Sequence, residues 1–263
     1  MDLGLKGRSA AVAAASRGLG RATAIALARE GCLVAVCGRD PLKIRASADF
    51  IERETGGRVL AVTADVRSRS DCDRFIGETV DAFGRLDILV TNTGGPPAGN
   101  FEATASEEWE KAYAGLLANV IHLVRAAVPH MKQAKWGRIL NVASLSVKQP
   151  IDNLILSNTF RPAIAGFSKS LSKELGPHGI LVNTICPGYT RTDRLEELAE
   201  ERGKRAGTTK EQFYEMLGKS IPLGRIAEAE EFASVAAFLC SDRASYLSGV
   251  ALAVDGGASM GLA

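Results

Sequence analysis

Short apolar runs alternate with longer amphipathic stretches along almost the whole chain. Ser9–Ala14, Leu33–Cys37, Val59–Val62, Ile88–Thr91, Ile139–Ala143, Leu181–Ile185 and Val250–Val254 read as strands buried on both faces. Helical patterns fall between them, near 18–30, 41–55, 70–83, 106–133, 162–176 and 228–240. This alternation predicts an α/β chain with a doubly wound, seven-stranded parallel sheet, its crossovers right-handed and its faces covered by helices. No repeat, low-complexity tract or linker divides residues 1–263, so a single domain is expected. Ligands of such sheets bind outside the carboxyl ends of the strands, where the winding direction reverses. The rhythm breaks once, at 191–221, where Glu196, Glu197, Glu200, Glu201, Lys204 and Arg205 predict an exposed helical lid. Phe213, Tyr214, Met216 and Leu217 would form its apolar face.

Composition narrows the partners. A net charge of +2 is too small to draw nucleic acid or a membrane surface. No uninterrupted apolar segment approaches the roughly 18 residues of a span, and the N-terminus lacks a basic and apolar leader pattern. Cys32, Cys37, Cys72, Cys186 and Cys240 have neither metal-ligand nor disulfide spacing, so no metal is expected. They fit buried thiols in a cytoplasmic protein.

The first strand runs into Ala14-Ala15-Ser16-Arg17-Gly18-Leu19-Gly20 and then a helix. Glycines at such a turn let the backbone approach a pyrophosphate, which rests on the helix N-terminus as in a Rossmann-type dinucleotide site. The second strand ends in Cys37-Gly38-Arg39, without the acidic residue that would hold a ribose 2′-hydroxyl. Arg39 and Arg17 could instead hold a 2′-phosphate through charge-assisted hydrogen bonds, which points to NADP(H). The bland alternative is a pair of solvated surface arginines.

With these residues in view, the chain resembles a short-chain dehydrogenase/reductase over nearly its whole length, nearest in pattern to 3-oxoacyl-carrier-protein reductases. The resemblance is carried by Ser16–Gly20, Asp65-Val66, Asn92-Thr93-Gly94, Gly137-Arg138-Ile139, Asn183, Pro187-Gly188 with Thr192, Gly224-Arg225, and Ser248-Gly249 through Gly257. It implies that Asp65 and Val66 meet the adenine and that Asn92 and Gly94 lie beside the adenosine ribose. It also implies that Pro187, Gly188, Thr190 and Thr192 cover the nicotinamide. A small-molecule substrate and a homodimer or homotetramer built on the helices near 106–133 and 162–176 are implied too. One departure is Ala14, where the family has the first glycine of its loop.

The catalytic half departs further. The family uses a serine, a tyrosine, a lysine four residues later and an asparagine. Ser144 takes the serine position, but the family's spacing then puts Ser157 at the tyrosine, Arg161 at the lysine and Leu116 at the asparagine, with Asn119 one turn further on. A serine hydroxyl is a far weaker acid than a phenol, and Arg161 stays protonated. Losing a positioned acid slows such chemistry by roughly 10²–10⁴-fold. Ser144, Ser157 and Arg161 are the expected catalytic residues, with Arg161 stabilising charge rather than relaying protons. Pro162, suited to a first turn, predicts that this helix begins later than in relatives. Lys148 in the loop past Ser144 and Tyr189 in the Pro-Gly loop are replacement proton donors to weigh against a solvated lysine and a packing tyrosine. His122, His130 and His178 fall away from the strand ends. Three functions follow from this pattern: an NADP(H)-dependent carbonyl/alcohol oxidoreductase, a silent NADP(H)-binding protein, and a lyase or isomerase on the same fold.

Overall fold

Seven strands pair in parallel: β1 (Ser9–Val12), β2 (Leu33–Gly38), β3 (Val59–Thr63), β4 (Ile88–Thr91), β5 (Gly137–Val142), β6 (Ile180–Pro187) and β7 (Ala251–Val254). Their spatial order is β3-β2-β1-β4-β5-β6-β7. This computed structural model describes residues 1–193, 195–196, 199–200 and 209–261. The helices are α1 (Gly18–Arg29), α2 (Pro41–Thr55), α3 (Arg69–Phe83), α4 (Ser106–Tyr113), α5 (Asn119–Ala134), α6 (Ile155–Leu175), α7 (Lys210–Lys219) and α8 (Ala229–Leu239).

Alternation along the strands sorts two cores. Ala11, Ala35, Leu89, Ile139 and Val182 face α3, α5 and α6, which contribute Phe75, Leu123 and Ile164. Ala10, Val12, Val34, Ile88 and Leu140 face α1, α2 and α8, which contribute Leu27, Ile51 and Phe232. The five inner strands are therefore covered on both faces, which is why they read as largely apolar runs. The five cysteines are buried within these layers. Helix Ser106–Ala134 is long and apolar enough to cross a bilayer by length and composition alone. Its Val120, Leu123, Val124, Ala127 and Met131 are nevertheless buried in the core.

Local chemistry explains the starts and stops. The Asp40 carboxylate accepts the Leu42 and Lys43 N–H groups, Pro41 opens α2, and Gly56 closes it in the left-handed region. Ser68 caps α3 and Gly84 ends it the same way. α6 corrects the sequence reading: it begins at Ile155, so Pro162 lies inside it. Gly99 fixes that start, its N–H donating to Asn153 O at 2.7 Å while its carbonyl accepts the Ile155 N–H at 3.2 Å. In the expected lid, α7 is capped by Thr209 with Gln212, and Phe213 and Tyr214 pack with Leu195, Ala199, Ile221 and Ile226. Met216, expected on that apolar face, is exposed. Glu197, Glu201, Lys204 and Arg205 lie outside the described residues.

The winding reverses between β1 and β4. From β1 the chain builds outward to β3, then returns to β4 and continues to β7, so the loops leaving β1 and β4 part and open a crevice.

Candidate active site

A cleft of about 790 Å³ lies at this reversal, within the range of ordinary small-molecule and cofactor sites. Its first wall is the turn from β1 into α1. Gly20 is dictated there by close approach: a Cβ would lie 2.6 Å from Ala14 O and 2.8 Å from Asn92 Nδ2. Asn92 donates through Nδ2 to Ala14 O at 3.2 Å, so the residue leaving β4 fastens the glycine turn. Ala14 itself holds φ +48°, where a methyl group is unfavourable. Ser16, Arg17, Gly18 and Leu19 line the cleft; Gly20 lies behind them.

Arg39 leaves the tip of β2 into the same cleft and is exposed. No ion pair or hydrogen bond of its guanidinium is found among the described residues. Asp65 and Val66 follow β3 along the wall. The Asp65 carboxylate is engaged by Arg67, whose Nε lies 3.0 Å from both of its oxygens, and this guanidinium holds the carboxyl below its usual range. Arg67 also lines the cleft, a residue that sequence reasoning missed; its spacing two beyond Asp65 was the available signal. Gly94 lines the opposite side with Pro96 and Pro97, and Thr93 donates to Gly115 O at 2.8 Å in the π-helical turn Ala114–Ala118 between α4 and α5.

The far wall is the segment after β6. Pro187, Gly188, Tyr189, Thr190 and Thr192 all line it. Gly188 is again a matter of room, since a Cβ would lie 2.8 Å from the Asp255 Cα. Thr190 donates to Gly188 O at 3.2 Å, and Thr192 accepts the Leu195 N–H at 3.3 Å. A Cβ on Gly18 would meet the Thr192 side chain at 3.6 Å, so the segment reaches across to the glycine turn.

Beneath the cleft, a polar row ties the sheet to α6. Thr91, Asn141 and Thr184 stand opposite one another on β4, β5 and β6. Thr91 Oγ1 donates to Asn141 Oδ1 at 2.7 Å, Asn141 Nδ2 to Ser168 Oγ at 2.8 Å, and Thr184 Oγ1 to Ser168 Oγ at 2.8 Å. Ser168 donates in turn to Ile164 O at 2.8 Å, so its hydroxyl is fully used.

The expected catalytic residues are placed differently from their sequence picture. None of Ser144, Ser157 and Arg161 is among the residues lining the cleft. Ser144 caps a 3₁₀ turn, Leu145–Val147, its Oγ accepting the Ser146 N–H at 3.2 Å. Ser157 is 5% exposed and its Oγ lies 3.0 Å from that of Ser146, which is 4% exposed. The buried hydroxyl pair is thus Ser146 with Ser157. Arg161 is 6% exposed, donates through Nη1 to Val142 O at 2.8 Å and leaves Nε without a partner among the described residues. Burial pushes its guanidinium down to about 10. Leu116 lines the cleft as an apolar group, while Asn119 is buried with both amide atoms unpartnered among the described residues.

Lys148 closes the turn that Ser144 opens, partly buried and without an acidic or hydrogen-bonding partner for its amine among the described residues. Among the tyrosines, Tyr189 reaches the cleft; Tyr113 packs beside Phe160, Tyr214 is buried under Arg191, and Tyr246 is wholly exposed.

A doubly wound parallel sheet with a glycine turn, a basic strand tip and a cleft across the strand ends defines a dinucleotide-binding protein. The family described as Enoyl-(Acyl carrier protein) reductase matches residues 13–259. D-beta-hydroxybutyrate dehydrogenase of Rhizobium meliloti is 32% identical over 254 residues, 95% of this chain and 98% of that protein. The 3-oxoacyl-[acyl-carrier-protein] reductase of Aquifex aeolicus is 32% identical over 257 residues, 98% of this chain and 99% of that protein. L-sorbose reductase from Gluconobacter frateurii, solved with NADPH and L-sorbose, superposes with a TM-score of 0.96 at 32% identity, each chain covered in full. The chain belongs to the short-chain dehydrogenase/reductase family and is an oxidoreductase of that type.

Proposed function

We propose that the protein is an NADP(H)-dependent oxidoreductase that interconverts a small carbonyl compound and its alcohol without the family's tyrosine. The observation that carries the cofactor is Arg39: a guanidinium without a partner among the described residues, at the tip of β2, where a 2′-hydroxyl reader would be acidic. The relatives solved with NADPH support the same reading. Residues present fit the group: the glycine turn has no room for a side chain at Gly20, and Gly18 with Ser16 and Arg17 offers backbone and charge to a pyrophosphate. Asp65, Val66 and Arg67 would border the adenine, Asn92 and Gly94 the ribose, and Pro187–Thr192 the nicotinamide.

When bound, NADPH supplies hydride. The chain positions it and handles the proton. Ser144 is the group suited to polarise the carbonyl oxygen, because its Oγ is oriented by the Ser146 N–H and its own proton has no acceptor among the described residues. Arg161 adds fixed positive charge below the strand ends, and Ser157 orients Ser146. Exposed Phe101 and Tyr113, beside Trp109 and Phe160 on α4 and α6, support a homo-oligomer using this face, which light scattering tests directly.

The burial of Ser157 and Arg161 favours a second reading, a protein that binds NADP(H) without turnover. Steady-state NADPH oxidation across ketoses, 3-oxo acids and 3-oxoacyl thioesters separates the two. Turnover with at least one carbonyl class is expected. Tight NADPH binding with none establishes the silent reading instead.

A further inference from the structure

A second cavity, of about 360 Å³, lies between α1 and α2 and shares Ser16 and Arg17 with the cofactor cleft. It falls at the small end of the range of ligand sites. Lys43, Ser47, Phe50 and Arg53 reach it from α2 at the three- and four-residue spacing of one helix face. Arg17, which opens α1, and Arg21, one turn on, supply the opposite wall. Four of these side chains are cations, and Asp193 is the one carboxylate beside them among the described residues. We propose that this crevice is a binding site for a small oligophosphate anion, separate from the site of the dinucleotide.

Two of the cations are uncommitted. Elsewhere on α2 and α3 each arginine pairs with a carboxylate one turn along: Arg45 with Asp49 at 3.0 Å, Arg69 with Asp73 at 3.8 Å and Arg74 with Glu78 at 3.1 Å. Arg21 and Arg53, which face the crevice, have no carboxylate partner among the described residues, and Asp193 pairs with neither. Lys43 reaches Asp40 at 3.7 Å, an exposed contact that an incoming anion displaces at little cost.

The shape selects the anion. From Lys43 to Arg53 the helix advances about 15 Å at roughly 1.5 Å per residue, so the positive charge is strung along a line. Linked phosphoryl groups carry their negative charge in the same way, and a guanidinium meets each through paired N–H bonds. The Arg21 guanidinium lies 5.3 Å from the centre of the Phe50 ring and covers the aromatic face that the crevice offers, so a nucleobase finds no surface on which to stack. Ser47 already donates to Ala15 O at 2.8 Å, which leaves recognition to the cations. The dinucleotide has its own wall. Arg39 lines the cofactor cleft and not the crevice, whereas Arg21, Phe50 and Arg53 line the crevice and not the cleft. Arg17 borders both, so each anion weakens the other, and by linkage the factor is the same in both directions.

Calorimetric titration of tripolyphosphate into the full-length protein tests the site, first without cofactor and then with NADPH at saturation. One equivalent is expected to bind in both cases, its Kd rising by less than about 10-fold when NADPH is present. Arg53→Gln, at an exposed position where the fold is not at risk, is expected to weaken binding by roughly 10-fold or more, and Arg21→Gln by as much. Arg45→Gln removes the same charge from a pair outside the crevice and is expected to leave the Kd within about 2-fold. The absence of saturable binding overturns the proposal. So does binding that NADPH abolishes, which puts the anion in the cofactor cleft, and so does an equal loss in Arg45→Gln, which reduces the effect to a general field. ATP binding more than about 10-fold more tightly than tripolyphosphate also overturns it, by assigning a nucleotide instead. Each of these measurements reads binding alone, so a protein that turns over no carbonyl leaves the assignment standing.

Discussion

Arg161 is a cation that the fold buries without a counter-charge among the described residues, and replacing it has a calculable consequence. The side chain is 6% exposed, makes one hydrogen bond, to Val142 O, and leaves Nε unpartnered among the described residues. Burial lowers its pKa from 12.5 to about 10, which corresponds to roughly 3 kcal/mol of destabilisation whenever the group is charged in the folded state. Arg161→Met removes the charge and keeps a linear side chain. It also strands the Val142 carbonyl, at about 1–3 kcal/mol. The variant should therefore be as stable as the wild type or about 1–2 kcal/mol more stable, a Tm rise of a few degrees at this chain length. The sign with pH follows from the depressed folded-state pKa. Below pH 10 both states hold the proton and the full penalty applies; above it the folded state releases its proton first. The advantage of Arg161→Met should then shrink as pH climbs past 10. Urea melts of both proteins at pH 7, 9 and 10.5 measure this. A loss of 3 kcal/mol or more at pH 7 refutes the reasoning, because it means that the guanidinium is compensated inside the fold.

Ala14→Gly should stabilise the protein by about 0.5–1 kcal/mol, since φ +48° penalises the methyl and glycine's entropy offsets part of the gain; thermal melts read it. Asn92→Ala should cost about 1 kcal/mol and raise the NADPH Kd, because it unties the glycine turn from β4; unchanged affinity would show that the turn is self-supporting. Ser157→Tyr with Arg161→Lys should not rebuild a faster enzyme. A phenol has to enter a position 5% exposed and break the Ser146 contact, at a cost of about 1–3 kcal/mol, and a 100-fold rise in kcat would show room that the packing denies.

The sheet was legible because parallel strands covered on both faces leave an apolar signature, and the wall of the cleft because its glycines and Arg39 sit at strand ends. What escaped depended on distant partners. The start of α6 is set by Gly99, more than fifty residues upstream of Ile155, and Pro162 pointed to the wrong turn. The bond from the Asn92 amide to Ala14 O, a backbone atom 78 residues away, had no local signal. Ser146 carried no signal at all, although it, rather than Ser144, meets Ser157. The row Thr91, Asn141, Thr184 and Ser168 was invisible for the same reason: each residue is unremarkable until strand register aligns them.

Arg39 sits at the phosphate-reading end of the cleft, and paired fluorescence titrations of NADPH and NADH measure what it contributes. A charge-assisted contact from Arg39 is worth about 1.5–3 kcal/mol, so NADPH should bind roughly 10–150-fold more tightly, and Arg39→Asp should erase that preference. Equal affinity of the wild type for both dinucleotides would contradict the account.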